Sequence, residues 1–342
     1  MTRHWKLFLA VSSIAMVLLV GYNAQAATPS PATAPAPQYV WRFGAVTTPA
    51  TAFNRAARLM GELMAARSKG QIQSTVYDME QLGTTQAQLE AVKAGTQDFN
   101  LCPLMFHTQM VKWLAALDLP FIFSRSDEAW ATFDGWLNSM IAQALQKEGM
   151  TFITFVDMGM RDFISKKHPI VKAEDMRGLK YRTMPSPIKR KTIEAWGAQP
   201  VFTDLGEVYS LIETGGIDIM DTTASSTAQL KWHEVTRYYS VAHCTFVGGA
   251  VVMSKKKFDG LPPDIQKIVM ECGQIASYWA RVQVWDEDRK AIEQLTKLGM
   301  KVNYLAPEEL EKFKNLSKPV YKWAAGEYGK EFVERLVGIK IE

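Results

Sequence analysis

The 342-residue sequence is poor in cysteine and carries little net charge. Its three cysteines, Cys102, Cys244 and Cys272, are an odd set without the spacing of metal ligands, which argues against a disulfide framework and against a zinc ribbon. We expect buried free thiols, because cysteine is among the most buried residue types. The five histidines also lack ligand spacing. The sequence therefore predicts neither a bound metal nor a cofactor.

The common sequence motifs of catalysis are also missing. There is no glycine-rich dinucleotide loop after a strand, no Walker loop, no H-E-x-x-H and no G-x-S-x-G. A formal net charge of +4 gives no argument for a nucleic-acid partner. We interpret these absences as favouring a binding protein with no catalytic residues. A catalytic group assembled in space from distant residues stays open as an alternative.

A long apolar run occurs once, near the N-terminus, from Leu7 to Val20. Arg3 and Lys6 precede it and Ala24-Gln25-Ala26 follows, a pattern that predicts a signal peptide over residues 1–26. The run is shorter than the roughly 20 apolar residues of a membrane-spanning helix. We therefore expect export to the periplasm with cleavage, and no stable membrane insertion of the mature chain. Loss of these two cations would lower the formal charge from +4 to +2.

The globular part of the chain is predicted to begin near Tyr39. Residues 27–38 are rich in proline and alanine and read as a leader that cannot build a core. The remaining chain alternates strand and helix patterns, which predicts an α/β fold with a mostly parallel sheet. Residues 89–98 and 209–218 share one order: an amphipathic helix, a glycine, an aspartate and then a strand. This similarity suggests two lobes built from the same unit.

A long helical pattern begins at Pro262-Pro263-Asp264 and continues to about Leu298. Roughly 35 residues at 1.5 Å per residue give about 52 Å, so we expect this helix to span both lobes. Chain crossings between lobes are typical of a hinged binding protein with a ligand cleft between the lobes. The predicted division is lobe I at 39–157 plus about 245–280, lobe II at 158–244 plus about 281–306, and C-terminal helices at 307–342.

Two arginines lie where predicted strands of the second lobe end. Arg182 is at the end of the predicted strand Lys180–Thr183, and Arg161 follows a predicted strand at Phe152–Val156. Strand ends face the ligand crevice in α/β folds, and a guanidinium matches a carboxylate with two parallel hydrogen bonds. We predict that both arginines bind an organic acid, with a surface ion pair as the alternative. The basic run Lys189-Arg190-Lys191 is interpreted as a solvated face.

Several short segments recur in a definite order along the chain. They include Leu89-Glu90-Ala91-Val92, Leu119-Pro120-Phe121-Ile122-Phe123, Gly159-x-Arg161, Gly178-Leu179-Lys180-x-Arg182 and Glu207-Val208-Tyr209. In order and spacing they resemble the solute-binding proteins of TRAP (tripartite ATP-independent periplasmic) transporters, the DctP-like dicarboxylate-binding family. The resemblance extends from about Tyr39 to Val337.

The resemblance implies two α/β lobes that close around one organic acid without ATP or covalent chemistry. It implies that Arg182 forms a two-pronged salt bridge to the ligand carboxylate and that Arg161 adds a second contact. It further implies that the loaded protein docks on a TRAP membrane permease driven by an ion gradient. We expect a periplasmic monomer.

One segment departs from the family pattern. The family commonly has Asp-Gly-Gln-Glu-Asn-Pro where this chain has Asp218-Ile219-Met220-Asp221-Thr222-Thr223, so Thr222 replaces an asparagine that contacts the ligand. Threonine offers a single hydroxyl in place of an amide, and Met184 makes the predicted cleft more apolar. We therefore predict a monocarboxylate with an apolar or aromatic side chain, such as a 2-oxo acid or an amino acid. A C4-dicarboxylate or a sugar acid is the alternative. Loops around Thr47 and Glu80 are expected to close over the rest of the ligand.

Two other functions stay open at this point. One is a periplasmic enzyme that acts on a small acid. The other is a binding module that feeds a sensor kinase, which the sequence cannot distinguish from a transport component.

Overall fold

The computed structural model describes residues 36–341. The predicted signal peptide and residues 27–35 of the predicted leader lie outside this range. The strands are β1 (Tyr39–Ala45), β2 (Ile72–Tyr77), β3 (Phe99–Pro103), β4 (Met150–Ser165), β5 (Lys180–Thr183), β6 (Gln199–Phe202), β7 (Ile219–Thr222), β8 (Tyr238–Ser254) and β9 (Lys301–Tyr304). The α-helices are α1 (Ala52–Arg67), α2 (Thr85–Ala94), α3 (Ser126–Asp134), α4 (Trp136–Lys147), α5 (Pro187–Ala195), α6 (Val208–Thr214), α7 (Ala224–Gln229), α8 (Lys255–Asp259), α9 (Pro263–Lys297), α10 (Pro307–Tyr328) and α11 (Lys330–Val337).

These strands form one mixed sheet in the order β2-β1-β3-β8-β4-β7-β5-β6, with β9 paired to the start of β8. Strands β4 and β8 run antiparallel along their whole length, from Met150 opposite Ser254 to Ser165 opposite Tyr238. At about 3.3 Å per residue the 16 residues of β4 extend about 50 Å. Because β3 pairs with the end of β8 and β7 with the end of β4, both long strands run through both halves of the sheet.

The prediction of a mostly parallel sheet was wrong at its centre, where β4 and β8 are antiparallel. The predicted strand at Phe152–Val156 was also too short. Gly159, which has the left-handed φ of 99°, sits in an irregular stretch where the register with β8 shifts. A glycine there ends the alternating pattern in the sequence without ending the strand. Arg161 therefore lies inside β4 and not after it.

The two halves of the sheet use the same supersecondary unit. Strands β2-β1-β3 and β6-β5-β7 are parallel sets in the same order. Helices α2 and α6 end at Gly95 and Gly215, both in the left-handed conformation that glycine adopts without strain. Asp98 and Asp218 each accept a hydrogen bond from a backbone N–H of the neighbouring first strand, at 2.7 and 3.0 Å. The prediction of one unit used twice is confirmed.

Helix α9 connects the two halves on one face of the molecule. Ser277 of α9 donates a hydrogen bond to the carbonyl of Phe155 on β4 at 2.5 Å. Eleven residues later in the helix, Asp288 accepts a hydrogen bond from the backbone N–H of Ser225 on α7 at 3.1 Å. The fold is thus α/β and two-lobed with a long helix along both lobes, as predicted. The lobe boundaries given above stay a prediction.

Aromatic side chains form much of the core in the half of the sheet that contains β1, β2 and β3. Phe133, Phe155 and Phe246 pack together, with the rings of Phe133 and Phe155 stacked at 4.0 Å between centroids.

All three cysteines are buried and free of disulfides, which confirms the prediction of buried thiols. Among the helices of residues 36–341, none combines the length and apolar content needed to cross a membrane.

Candidate ligand-binding site

A cleft lies between the two predicted lobes. One wall comes from residues 103–133 and 246–248, and the other from residues 161–221. Most of the first wall is apolar, and its side chains are those of Leu104, Met105, Leu114, Leu117, Phe123, Phe133 and Phe246. The second wall carries charge. The cleft thus has the form of a small-molecule site, with apolar walls and a few convergent polar groups.

Arg182 lies on β5 with only 7% of its surface exposed. Its Nη2 donates to the carbonyl of Thr203 at 2.9 Å, while its buried Nε has no partner among the described residues. It forms no ion pair with any carboxylate in residues 36–341. Burial, and then the nearby positive charge of Arg161, lowers the pKa of Arg182 from its ordinary value. A buried guanidinium in this situation gains most from an anion entering the cleft.

Arg161 reaches the cleft from the irregular part of β4. Its Nη1 lies 3.4 Å from Oδ2 of Asp221 on β7, and 31% of its side chain is exposed. Burial opposes the charge, but the carboxylates of Asp221 and Asp118 outweigh it and raise the pKa of Arg161 above its ordinary value. Arg161 is therefore a held cation with part of its surface open to the cleft.

Lys189 lies on α5 and is the third cation of the cleft. Its Nζ is 3.1 Å from Oδ2 of Asp221, 3.5 Å from Oδ1 of Asp118 and 2.9 Å from the hydroxyl of Thr245. Only 7% of its surface is exposed. Burial would lower the pKa of Lys189, yet the two carboxylates raise it overall, so the amine stays charged.

Asp221 is the centre of this network. It receives Lys189 and Arg161 on Oδ2, and the Tyr181 hydroxyl donates to its Oδ1 at 3.1 Å. Burial works against ionisation, but the two cations hold the pKa of Asp221 well below its usual range. The carboxylate is thus charged at neutral pH and holds both cations in place.

Three of the six predicted site residues line this cleft: Arg161, Arg182 and Met184. The structure brings them together from β4, β5 and the loop after β5.

The other three predicted residues do not line the cleft. Thr222 is buried, and side chains alternate along a strand, so it points away from the face on which Asp221 meets the cleft. The Thr47 hydroxyl donates a hydrogen bond to Oδ1 of Asn54 at 2.6 Å. Glu80 accepts a hydrogen bond from the backbone N–H of Thr85 at 2.7 Å, at the start of α2. A ligand contact by these residues stays a prediction.

Sequence reasoning missed Lys189, Asp118 and Asp221. The solvated-face interpretation was wrong for Lys189, which is buried, whereas its neighbour Arg190 is exposed. The spacing held a signal, because Lys189 lies three and four residues before the buried Thr192 and Ile193 and so shares their helix face. Asp118 had no such signal, since it ends the 3-10 helix Lys112–Asp118.

The model of the bacterial extracellular solute-binding proteins, family 7, matches residues 43–327. The chain is 28% identical over 261 residues to the 2,3-diketo-L-gulonate-binding periplasmic protein of Escherichia coli K12, a match that covers 76% of this chain and 80% of that protein. It is 27% identical over 297 residues to the C4-dicarboxylate-binding periplasmic protein of Rhodobacter capsulatus, a match that covers 86% of this chain and 89% of that protein.

Among solved structures, a TRAP periplasmic solute-binding protein of Sulfitobacter sp. NAS-14.1 with bound β-D-galacturonate has the same fold. Its TM-score is 0.79 at 25% sequence identity, and the match covers 87% of this chain and 98% of that one.

Proposed function

This chain belongs to family 7 of the bacterial extracellular solute-binding proteins, the TRAP-type solute receptors, and we propose that it captures an organic carboxylate in the cleft and delivers it to a TRAP membrane permease. Capture would need no covalent step, which is consistent with a family of transport proteins. The signal-peptide pattern supports a periplasmic location.

The observation that carries this proposal is the state of Arg182. It is a buried cation whose Nε has no partner in the described residues, at the wall of a cleft. A carboxylate can accept two parallel hydrogen bonds from a guanidinium, and charge-assisted hydrogen bonds contribute about 1.5–3 kcal/mol each. Arg161 supplies a second positive group from the adjoining strand.

The comparisons support the sugar acids and C4-dicarboxylates as ligand classes better than a monocarboxylate with an apolar side chain. The two curated relatives carry names for diketogulonate and C4-dicarboxylate binding, and the Sulfitobacter protein holds galacturonate. Asp118 also offers an acceptor for a ligand hydroxyl at the cleft wall. The apolar first wall is the feature that keeps the apolar monocarboxylate as a second ligand class.

The cleft walls come from segments on either side of the predicted lobe boundaries, which supports ligand capture by lobe closure. Closure is a population shift, so its extent is limited by the greater affinity of the ligand for the closed state. The loops at Thr47 and Glu80 are proposed to complete the site on closure, and a ligand contact by Thr222 would also require a change in the strand that carries it. We propose that the protein acts as a monomer.

A thermal-shift screen over organic acids tests the capture. An acid present at 100 times its dissociation constant should stabilise the protein by about 2.7 kcal/mol. For an acid that binds, Arg182→Lys should weaken the affinity by at least about tenfold in calorimetry, because the planar fork is lost although the charge is kept. The matched control is Arg177→Lys, an exposed arginine five residues earlier, which should bind like the parent. Equal affinity in both variants would rule out Arg182 as the anchor.

A further inference from the structure

The cleft wall holds five charged side chains whose charges do not cancel. Arg161, Arg182 and Lys189 are cations, and Asp118 and Asp221 are carboxylates, so one positive charge is in excess. The ion pairs show which cation is left without a partner. Asp221 pairs with Arg161 and Lys189, and Asp118 also pairs with Lys189. Arg182 forms no ion pair with a described residue, so it carries the excess positive charge.

The two carboxylates differ in how fully they are used. Asp221 is almost completely buried, with 3% of its side chain exposed, and is engaged on both oxygens. Asp118 keeps 19% of its side chain exposed. Its contacts are long, 3.5 Å to Lys189 Nζ and 3.5 Å to the Ser186 hydroxyl. Asp118 therefore presents spare acceptor capacity and a negative charge to the cleft.

We propose that the cleft selects acids with a single negative charge, and that Asp118 excludes a second carboxylate. This inference rests on the proposed function and narrows it, because it retains the sugar acids with one carboxylate and the apolar monocarboxylates and excludes the C4-dicarboxylates. The ligand carboxylate would neutralise Arg182, after which the site has no further unbalanced cation. A second carboxylate would meet the free side of Asp118, and a like charge held there without water is unfavourable. A hydroxyl in that position would instead donate to Asp118.

Selection by an unfavourable contact predicts a preference in the unaltered protein. Three pairs of acids share a skeleton and differ in the second charge: succinamate and succinate, D-galactonate and galactarate, 4-carbamoylphenylpyruvate and 4-carboxyphenylpyruvate. We expect calorimetry at pH 7 to give at least about tenfold tighter binding of the one-carboxylate member in each pair that binds, or about 1.4 kcal/mol. Tighter binding of a two-carboxylate member in any pair would overturn the inference while leaving carboxylate capture standing. If neither these acids nor any other acid of the thermal-shift screen binds, carboxylate capture fails, and the inference fails with it.

Asp118→Asn then identifies the selecting residue. The variant loses an ion pair to Lys189, which joins the two predicted lobes, and it removes a negative charge from the cleft, so absolute affinities should change for all acids. The affinity ratio within a pair is independent of that loss. We expect this ratio to shift by at least about tenfold toward the two-carboxylate member, since like-charge repulsion is removed.

The matched control is Asp204→Asn, which removes an exposed carboxylate that acts on Arg182 from outside the cleft. Because exposed charges are screened, its ratio should change by no more than about twofold. An unchanged ratio in Asp118→Asn, or an equal shift in both variants, would overturn the assignment to Asp118.

Discussion

Replacing Lys189 with methionine tests whether the charged cluster is held together as the structure indicates. Methionine preserves most of the side-chain volume and removes the charge. Asp221 would lose the Nζ that lies 3.1 Å from its Oδ2, and Asp118 would lose its nearest cation. The Thr245 hydroxyl would lose a partner at 2.9 Å. The variant therefore leaves two carboxylates short of positive charge in a buried place.

The size of the loss follows from these distances. Two unit charges 3.1 Å apart attract by about 5 kcal/mol at an effective dielectric constant of about 20. Arg161, 3.4 Å from the same oxygen, and the Tyr181 hydroxyl stay in place and offset part of the loss. Removing one partner of a buried pair typically costs about 3–5 kcal/mol. We expect the free energy of unfolding to fall by about 3 kcal/mol at pH 7.

The pH dependence distinguishes lost charge pairing from poor packing. In the parent the pKa of Asp221 is held low, and Lys189 is the largest cause of that lowering. In the variant that pKa rises, so the folded variant takes up a proton at higher pH than the folded parent does. The stability that the variant loses relative to the parent should therefore be smaller at pH 4 than at pH 7.

Urea unfolding at the two pH values measures the effect. Arg190→Met is the control, because this neighbouring cation on the same helix is exposed and lies over the Phe202 ring at 4.7 Å. It should cost less than about 1 kcal/mol at either pH. A loss in Lys189→Met no larger than in the control would refute the network. So would a loss of equal size at pH 4 and pH 7, which would point to packing alone.

Two further predictions concern Arg182 and Asp288. Arg182→Met should abolish acid binding. It should also raise the stability of the ligand-free protein by about 1–2 kcal/mol in urea unfolding, because an unpaired buried charge is removed. A less stable variant would contradict this account. Burial raises the pKa of Asp288 to about 7, so the folded state binds its proton more tightly than the unfolded chain and this group lowers stability as pH rises from about 4 to 7. Asp288→Asn should therefore be more stable than the parent by about 2–4 kcal/mol at pH 8 and unfold at a higher temperature, with little difference at pH 4. An equal difference at both pH values would show that the carboxyl is not the cause.

The local elements of this fold were largely predictable from the sequence. The bounds of β5 agree with prediction, and α9 begins and ends within a residue of the predicted positions. These segments have clear alternation or end at proline and glycine, so local physics decides them. The repeated glycine and aspartate after α2 and α6 were informative for the same reason. Each glycine ends a helix, and each aspartate accepts a hydrogen bond from the backbone of the neighbouring strand.

The central pair of strands was not predictable in this way. β8 carries His243 with a left-handed φ of 47°, and β4 carries Gly159, so neither strand has an unbroken alternating pattern. What holds the two strands is their pairing with each other across about 90 residues of sequence. A long-range antiparallel register of this kind has no signature within a window of ten residues. The error about Arg161 follows directly, since its position depended on where β4 ends.

The site residues show the same contrast between local signals and long-range packing. Arg182 was recognisable because a local signal, the strand end before Pro185, places it. Asp118, Lys189 and Asp221 come from a 3-10 helix, an α-helix and a strand that only tertiary packing brings together. Their charges become meaningful only as a set, because any one of them alone in the sequence reads as a surface residue.

The excess charge at Arg182 links the stability of the protein to its function. Without ligand, the unpaired guanidinium lowers the stability of the folded state, because its burial is not compensated by a carboxylate. A bound acid removes that penalty and adds its own hydrogen bonds, so both effects appear together in the ligand-induced shift. The Asp221 network has the opposite character, since its charges are already balanced and gain little from a ligand. Ligand-dependent stabilisation should therefore depend on Arg182, while stability in the absence of ligand should depend on Lys189 and Asp221.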